Sequence, residues 1–218
     1  MEIQWYGHSS FLLTTAKGIK IIMDPYEPGA FGGGIMYRPI VDKADIVLVT
    51  HDHADHNYVA GLAGNPQVIK EAGRHEVKGI VVQGFPSYHD ASCGSERGEN
   101  IIFIVVADNI RVCHLGDLGH RLSDKEAEEI GQVDCLLIPV GGFYTIGPEE
   151  ATAVADQLHP QLIIPMHCKT EKCGFPIEPV DPFLQGKKEV RRLKGSTFAF
   201  TKKDLEAGLG IVVLQPAL

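Results

Sequence analysis

The sequence predicts a layered α/β fold, and three observations predict it. The chain has 218 residues, 44% of them hydrophobic, enough for one sizeable core and short for two domains. Short apolar, β-branched runs alternate with a few stretches of helical pattern. Four of the apolar runs stop at a histidine or an aspartate: Ile46–Thr50 at His51, Ile80–Tyr88 at His89, Ile110–Gly116 at Asp117 and Leu162–Met166 at His167. Strand ends on one edge of a sheet gather in space, and layered α/β proteins build their sites there.

Taken in order, Glu2–Tyr6 and Ser10–Thr15 read as two strands around Gly7-His8-Ser9, and Ile19–Met23 as a third. Asp24-Pro25 and a glycine-rich segment, Gly29 to Gly34, follow. Such a segment suits a mobile loop beside a site, and it lacks the GxxxxGK[ST] pattern of a phosphate-binding loop. Ile46–Val49 reads as a buried strand. Asn57–Ala63 suits a short helix that Asp55 could cap.

Gln67–Ile69 and Gly79–Gln83 are further strands. Ile101–Ala107 and Ile110–Leu115 form a hairpin joined by Asp108-Asn109. Asp124–Ile130 is helical, with Ser123 and Glu126 as a capping box. Cys135–Ile138 is a buried strand, and Pro148–Leu158 a helix with proline at its start. Gln161–Met166 is another apolar strand. Phe183–Leu193 is expected to be helical, and Thr197–Thr201 and Ile211–Leu214 to be closing strands. No composition break marks a boundary, so residues 1–218 are expected to form one domain.

The formal charge of −8, and the absence of any Lys/Arg block longer than two residues, argue against nucleic acid as partner. No apolar run approaches the ~20 residues of a membrane span, and the first twenty residues lack the pattern of a signal peptide. The five cysteines are odd in number and irregularly spaced, which fits free thiols in a reducing cytoplasm.

The chemistry concentrates in Thr50-His51-Asp52-His53-Ala54-Asp55-His56, where five ionisable side chains fall within six residues. Burying them unpaired would cost several kcal/mol per charge, so they must be solvated, paired or bound to metal. His51 and His53, two apart, can face one ion, and Asp55 and His56 a neighbouring position. Imidazole with carboxylate suits zinc, manganese or iron.

His-x-His-x-Asp-His after an apolar strand resembles the signature of the metallo-β-lactamase-fold hydrolases. The later His89, Gly116-Asp117 and His167 are similar in order to that family's remaining motifs. Trp5-Tyr6-Gly7-His8 and Gly141-Gly142-Phe143-Tyr144-Thr145 look most like its ascorbate-6-phosphate-lactonase-like branch of small stand-alone hydrolases. The resemblance runs from the N-terminal strands to about residue 170.

It implies a four-layer αββα sandwich with two divalent ions. Zn²⁺ is expected first, and the same donors accept Mn²⁺, Fe²⁺ or Ni²⁺. His51, His53 and His89 would hold one ion, Asp55, His56 and His167 the other, and Asp117 would bridge them. The implied reaction is hydrolysis of an ester, lactone or phosphodiester of a small anionic metabolite by metal-bound hydroxide, with Asp55 handling the nucleophile's proton. His8, His120 and Tyr144 are candidate substrate contacts. His114 is expected to be a satisfied core histidine and Cys168 a small buried residue.

Two other functions compete: a metal-binding or ligand-sensing protein that does not turn over, and a diiron redox protein. The second is disfavoured because its branch typically carries Glu where His53 stands. The C-terminal proline-containing segment is a candidate interface between copies.

Overall fold

The computed structural model describes residues 1–218, which form two β-sheets packed face to face. The first sheet has six strands: β1 (Glu2–Gly7), β2 (Ser10–Thr14), β3 (Lys20–Met23), β4 (Ile46–Leu48), β5 (Gln67–Ile69) and, on its far edge beside β1, β13 (Thr197–Ala199). The second has eight, in the order β12 (Val190–Arg192), β14 (Gly210–Val213), β11 (Leu162–Met166), β10 (Cys135–Pro139), β9 (Ile110–His114), β8 (Glu99–Ala107), β7 (Ile80–Tyr88) and β6 (Gly73–Val77).

The apolar runs explain the layering. Every residue of β4 and of β10 is buried, because both faces of those strands are covered. The main core joins the two sheets: Ile3, Leu13 and Leu48 from one belong to the same cluster as Val82, Phe103 and Leu136 from the other.

The expected helix Pro148–Leu158 forms, burying Ala151, Val154, Ala155 and Leu158, one face at helical spacing. Asp124–Ile130 forms behind the expected capping box of Ser123 and Glu126. Both join the main core through Ile130, Val154 and Leu158. The outer face of the first sheet is covered differently. A second apolar cluster sets Tyr6, Leu12, Ile22 and Val47 against Tyr26, Ile35, Tyr37 and Ile40, so an irregular segment serves there as the outer layer.

Several elements differ from expectation. Asn57–Ala63 makes only a 3₁₀ turn at Val59–Gly61, with no side-chain cap, so Asp55 does not act as one. The helix expected over 183–193 is the short turn Asp181–Leu184 followed by β12, whose register is set by pairing with β14. Thr201 does not end a strand; it caps the short helix Lys202–Glu206. Strand β6, with its alternating exposed residues, was not expected; pairing with β7 supplies what its polar composition does not. The hairpin β8–β9 turns at Asp108 and Asn109, both at positive φ, the geometry that suits Asp and Asn there.

The parallel pairs β3–β4 and β9–β10–β11, with β7 antiparallel to β8 and β8 to β9, point the C-terminal ends of β3, β4, β7, β9 and β11 to one edge. The β1–β2 turn reaches the same edge, since β1 and β3 both run antiparallel to β2.

Candidate metal centre

Each strand of that edge delivers one part of a cluster. The segment after β4 carries His51, His53, Asp55 and His56; β7 is followed by His89; the turn after β9 carries Asp117; β11 is followed by His167. The β1–β2 turn adds His8 and Ser9, and the end of β3 adds Asp24.

The ligand atoms of His51, His53 and His89 lie within 4.8 Å of one another, and so do those of His8, His56, Asp117 and His167. Asp117 joins the two groups. Its Oδ2 lies 3.1 Å from His56 Nε2, 3.2 Å from His89 Nε2 and 3.2 Å from His167 Nε2. The Asp117 N–H donates to Asn100 Oδ1 at 3.0 Å, and Ser9 Oγ donates to Asp117 Oδ1 at 3.3 Å. The amide of Asn100 is fixed in turn by donation to Ser87 Oγ and the Leu115 carbonyl.

Hydrogen bonds set the tautomers. Asp24, fully buried, accepts from the Thr50 N–H at 2.8 Å, from Thr50 Oγ1 at 2.7 Å and from His56 Nδ1 at 2.8 Å. His56 thus turns Nε2 towards Asp117. Because Thr50 Oγ1 donates to Asp24, it accepts from His51 Nδ1 at 2.9 Å, which leaves His51 Nε2 with a free lone pair. That nitrogen is buried without a hydrogen-bond partner, as are Nδ1 of His8, His89 and His167.

His8 Nε2 donates to Asp55 Oδ2 at 3.0 Å, while the His8 carbonyl accepts from the His167 N–H at 3.1 Å and from Trp5 Nε1 at 2.9 Å. One residue thereby ties together parts of the cluster from three segments.

The electrostatics follow from burying many like groups together. Burial, with His56 beside it, pushes His51 well below the ordinary histidine range. Burial also lowers His8, to about 4, reinforced by His167 and opposed by the hydrogen bond to Asp55. Burial opposes protonation of His56 too, but the carboxylates of Asp117, Asp55 and Asp24 outweigh it and raise His56 well above its usual value. For Asp117, burial would favour the neutral acid, yet His167 and His56 hold the carboxyl well below the carboxylate range. Against the same burial, His56 and His8 hold Asp55 low, and His56, with His114 and His51, holds Asp24 low.

This donor set fits divalent metal ions. It offers imidazole nitrogens and carboxylate oxygens, no thiolate, and a buried His51 lone pair that is otherwise unsatisfied, a deficit of about 1–3 kcal/mol. A cavity of about 270 Å³ opens onto the cluster and is lined by His53, Asp55, His89, Asp117 and His167 together with Phe31, Glu96, Arg97, Tyr144 and Phe175.

Tyr144 thus lies at the cavity. His120 does not line it; its Nδ1 donates to the Arg121 carbonyl, and its Nε2 accepts from the Tyr88 N–H at 3.3 Å, holding the strand end before His89. His114 donates from Nε2 to the Ser9 carbonyl at 2.8 Å and accepts from the Gly116 N–H at 3.0 Å, a satisfied core histidine. Cys168 is buried, which pushes its thiol up to about 12 and leaves it unreactive.

Asp24, Asn100, Arg97 and Phe175 were missed by sequence reasoning. Asp24 carried a usable signal: it too ends an apolar run, Ile21–Met23. Arg97 and Phe175 carried none, since each reaches the cavity through a loop.

The chain is similar in sequence and fold to known metal-dependent hydrolases. Residues 2–167 match the family model of the β-lactamase superfamily domain. A protein from Thermotoga maritima, assigned to the Zn-dependent hydrolases of the metallo-β-lactamase superfamily, has a crystal structure that superposes with a TM-score of 0.79. It is 38% identical over 98% of this chain and 97% of its own. A UPF0173 metal-dependent hydrolase from Archaeoglobus fulgidus is 32% identical, covering 84% of this chain and 87% of its own length. Another from Thermococcus kodakarensis is 28% identical over 99% of this chain and 97% of its own.

Proposed function

The chain belongs to the metallo-β-lactamase superfamily and is a metal-dependent hydrolase, and from that premise we propose that it uses a dinuclear metal centre to hydrolyse an ester, lactone or phosphodiester bond of a small anionic molecule. The observation that carries this reading is the position of Asp117, whose Oδ2 touches histidines of both ligand groups.

His51, His53 and His89 would hold one ion, Asp55, His56 and His167 the other, with Asp117 between them. When bound, two divalent ions, Zn²⁺ first, supply Lewis acidity and bring the pKa of water towards neutrality. The protein's own groups do the rest. Asp55 lines the cavity and is held by His8, so its carboxylate has a fixed orientation from which to hold or accept the proton of an attacking water. Asp24 and Thr50 keep His56 and His51 in the tautomers that present Nε2 inward. Tyr144 borders the cavity and its hydroxyl is a candidate donor to an oxyanion.

We read residues 1–218 as one folded unit, since Phe183, Phe200, Leu205 and Ile211, beyond the family match, join the same core as Ile3 and Leu48. No helix is long and apolar enough to cross a membrane. Five free cysteines, four of them buried, support a reducing, cytoplasmic setting.

The test is metal content per chain after purification without chelator, followed by turnover on phosphodiesters, lactones and esters. About two ions and turnover of one class support the reading. Two ions without turnover on any class would favour a ligand-sensing role. No bound metal after incubation with zinc or manganese would overturn it.

A further inference from the structure

The glycine-rich segment 29–34 and the Gly-Gly-Phe-Tyr turn at 141–144 have no part in holding the cluster, yet both end at its cavity. Phe31 adopts φ 54°, a left-handed conformation that a bulky residue rarely takes, and its side chain is 60% exposed. A large apolar ring is therefore held in water by unfavourable backbone geometry, beside a buried polar site.

Phe31 meets Phe175 edge to face at 5.7 Å between centroids, and Tyr144 meets Phe175 in the same way at 5.6 Å. The wall is built as a unit. The Met36 N–H donates to the Lys172 carbonyl and the Gly174 N–H to the Gly34 carbonyl, tying the segment of Phe31 to the loop of Phe175. A Cβ on Gly34 would collide with the Phe175 ring, so a larger residue there would displace that ring from the wall.

Arg97 lines the same cavity from the loop after His89. That loop is rigid: Asp90 accepts from the backbone N–H groups of Ser92, Gly94, Glu96 and Arg97. The guanidinium has only Glu96 as an ionic partner, at 3.5 Å, a partly exposed pair of small worth that a stronger anion can displace.

We propose that Phe31, Tyr144 and Phe175 form a docking wall for a flat apolar group, aryl or similar, and that Arg97 receives a second, anionic group of the same substrate. This rests on the hydrolase reading and narrows its substrate class to small molecules that carry a ring or planar acyl group and a carboxylate or phosphate besides the labile bond. The cavity of about 270 Å³ is of a size to admit such a molecule. Exposed aromatic side chains that gain cover only when a ring is present make affinity depend on that ring.

The test is calorimetric binding, on the metal-loaded protein, of methylphosphonate, phenylphosphonate and 3-phosphonobenzoate, none of which needs to be turned over. Phenylphosphonate is expected to bind about tenfold more tightly than methylphosphonate. Phe31→Ala, at an exposed position that the core does not need, should reduce that ratio to threefold or less, and Phe31→Leu should fall between. The added carboxylate of 3-phosphonobenzoate should improve binding to the native protein several-fold and give no gain in Arg97→Gln. Equal binding of methyl- and phenylphosphonate, or ratios unchanged by Phe31→Ala and Arg97→Gln, would overturn the proposal. A protein that holds metal and turns over substrate yet shows equal ratios loses this inference alone. One that binds neither metal nor any phosphonate loses the hydrolase reading with it.

Discussion

Asp24 Oδ2 sits 2.8 Å from His56 Nδ1 and 2.7 Å from Thr50 Oγ1, so one carboxylate oxygen fixes the orientation of His56 directly and of His51 through the threonine. A carboxylate behind a metal-binding histidine holds the ring, sets its tautomer and raises its basicity. Asp24→Asn keeps the shape of the side chain and removes the charge. It should weaken metal affinity about 10- to 100-fold, measured by competition with a chromophoric chelator. Affinity unchanged within about twofold would show that His56 needs no such support.

His53 is the proposed ligand best suited to a clean test, because it is only half-buried and lines the open cavity. A metal ion present at about 100 times its Kd stabilises the folded chain by about 2.7 kcal/mol. For a chain of this length that is a rise in Tm of about 5–10 °C. Zinc should produce that rise in the chelator-treated native protein. His53→Ala should fold normally and show at most half of it in a thermal melt. A full zinc response in the variant would remove His53 from the ligand set.

What could be read in the sequence was what a strand end imposes. His51, Asp117 and His167 follow apolar runs whose burial is nearly complete, and His89 follows a strand that alternates buried and partly exposed residues; the sheet edge then gathers them whatever the loops do. The same rule would have found Asp24. Short elements were hidden for a different reason. β12 is held by pairing with β14, a partner distant in sequence that leaves no local pattern, whereas β6, next to β7 across the Lys78-Gly79 turn, is hidden by its own polar composition. The irregular cover of the first sheet, with Tyr26, Tyr37 and Ile40, likewise owes its place to the tertiary pocket it fills. Arg97 and Phe175 were beyond reach because loop geometry, not periodicity, brings them to the cavity.

Gly116 illustrates how tightly the turn before Asp117 is fitted. Its φ is +56°, and an added Cβ would strike Asn100 Oδ1 and lie 2.8 Å from Thr50 Cβ. Asn100 is the residue that accepts from the Asp117 N–H. Gly116→Ala therefore strains the backbone and pushes apart the groups that seat Asp117. The two costs together amount to about 3 kcal/mol, or a fall in Tm of about 6–12 °C. The same variant should lose metal, because Asp117 faces histidines of both groups. Normal metal content at a lowered Tm would separate the strain from the seating of Asp117.

The loop that carries Arg97 gives a pH-dependent prediction with a definite sign. Burial would raise the Asp90 carboxyl, but the N–H groups of Arg97, Ser92, Glu96 and Gly94 outweigh it and bring it down to about 2. The unfolded chain has an ordinary aspartate near 3.9. Between those values the unfolded state binds more protons than the folded one, so stability falls with falling pH in that window. Asp90's contribution is therefore complete above about pH 4 and lost towards about pH 2. Asp90→Asn removes the charge and replaces one of the two accepting oxygens by an NH2 that cannot accept, so it should melt at a lower temperature than the native protein at pH 5. The difference between the two should narrow as the pH is lowered from about 4 to about 3. A difference that stays constant across that range would mean that the charge on Asp90 contributes nothing to holding the loop, and that the variant loses only the acceptor oxygen that the amide NH2 replaces.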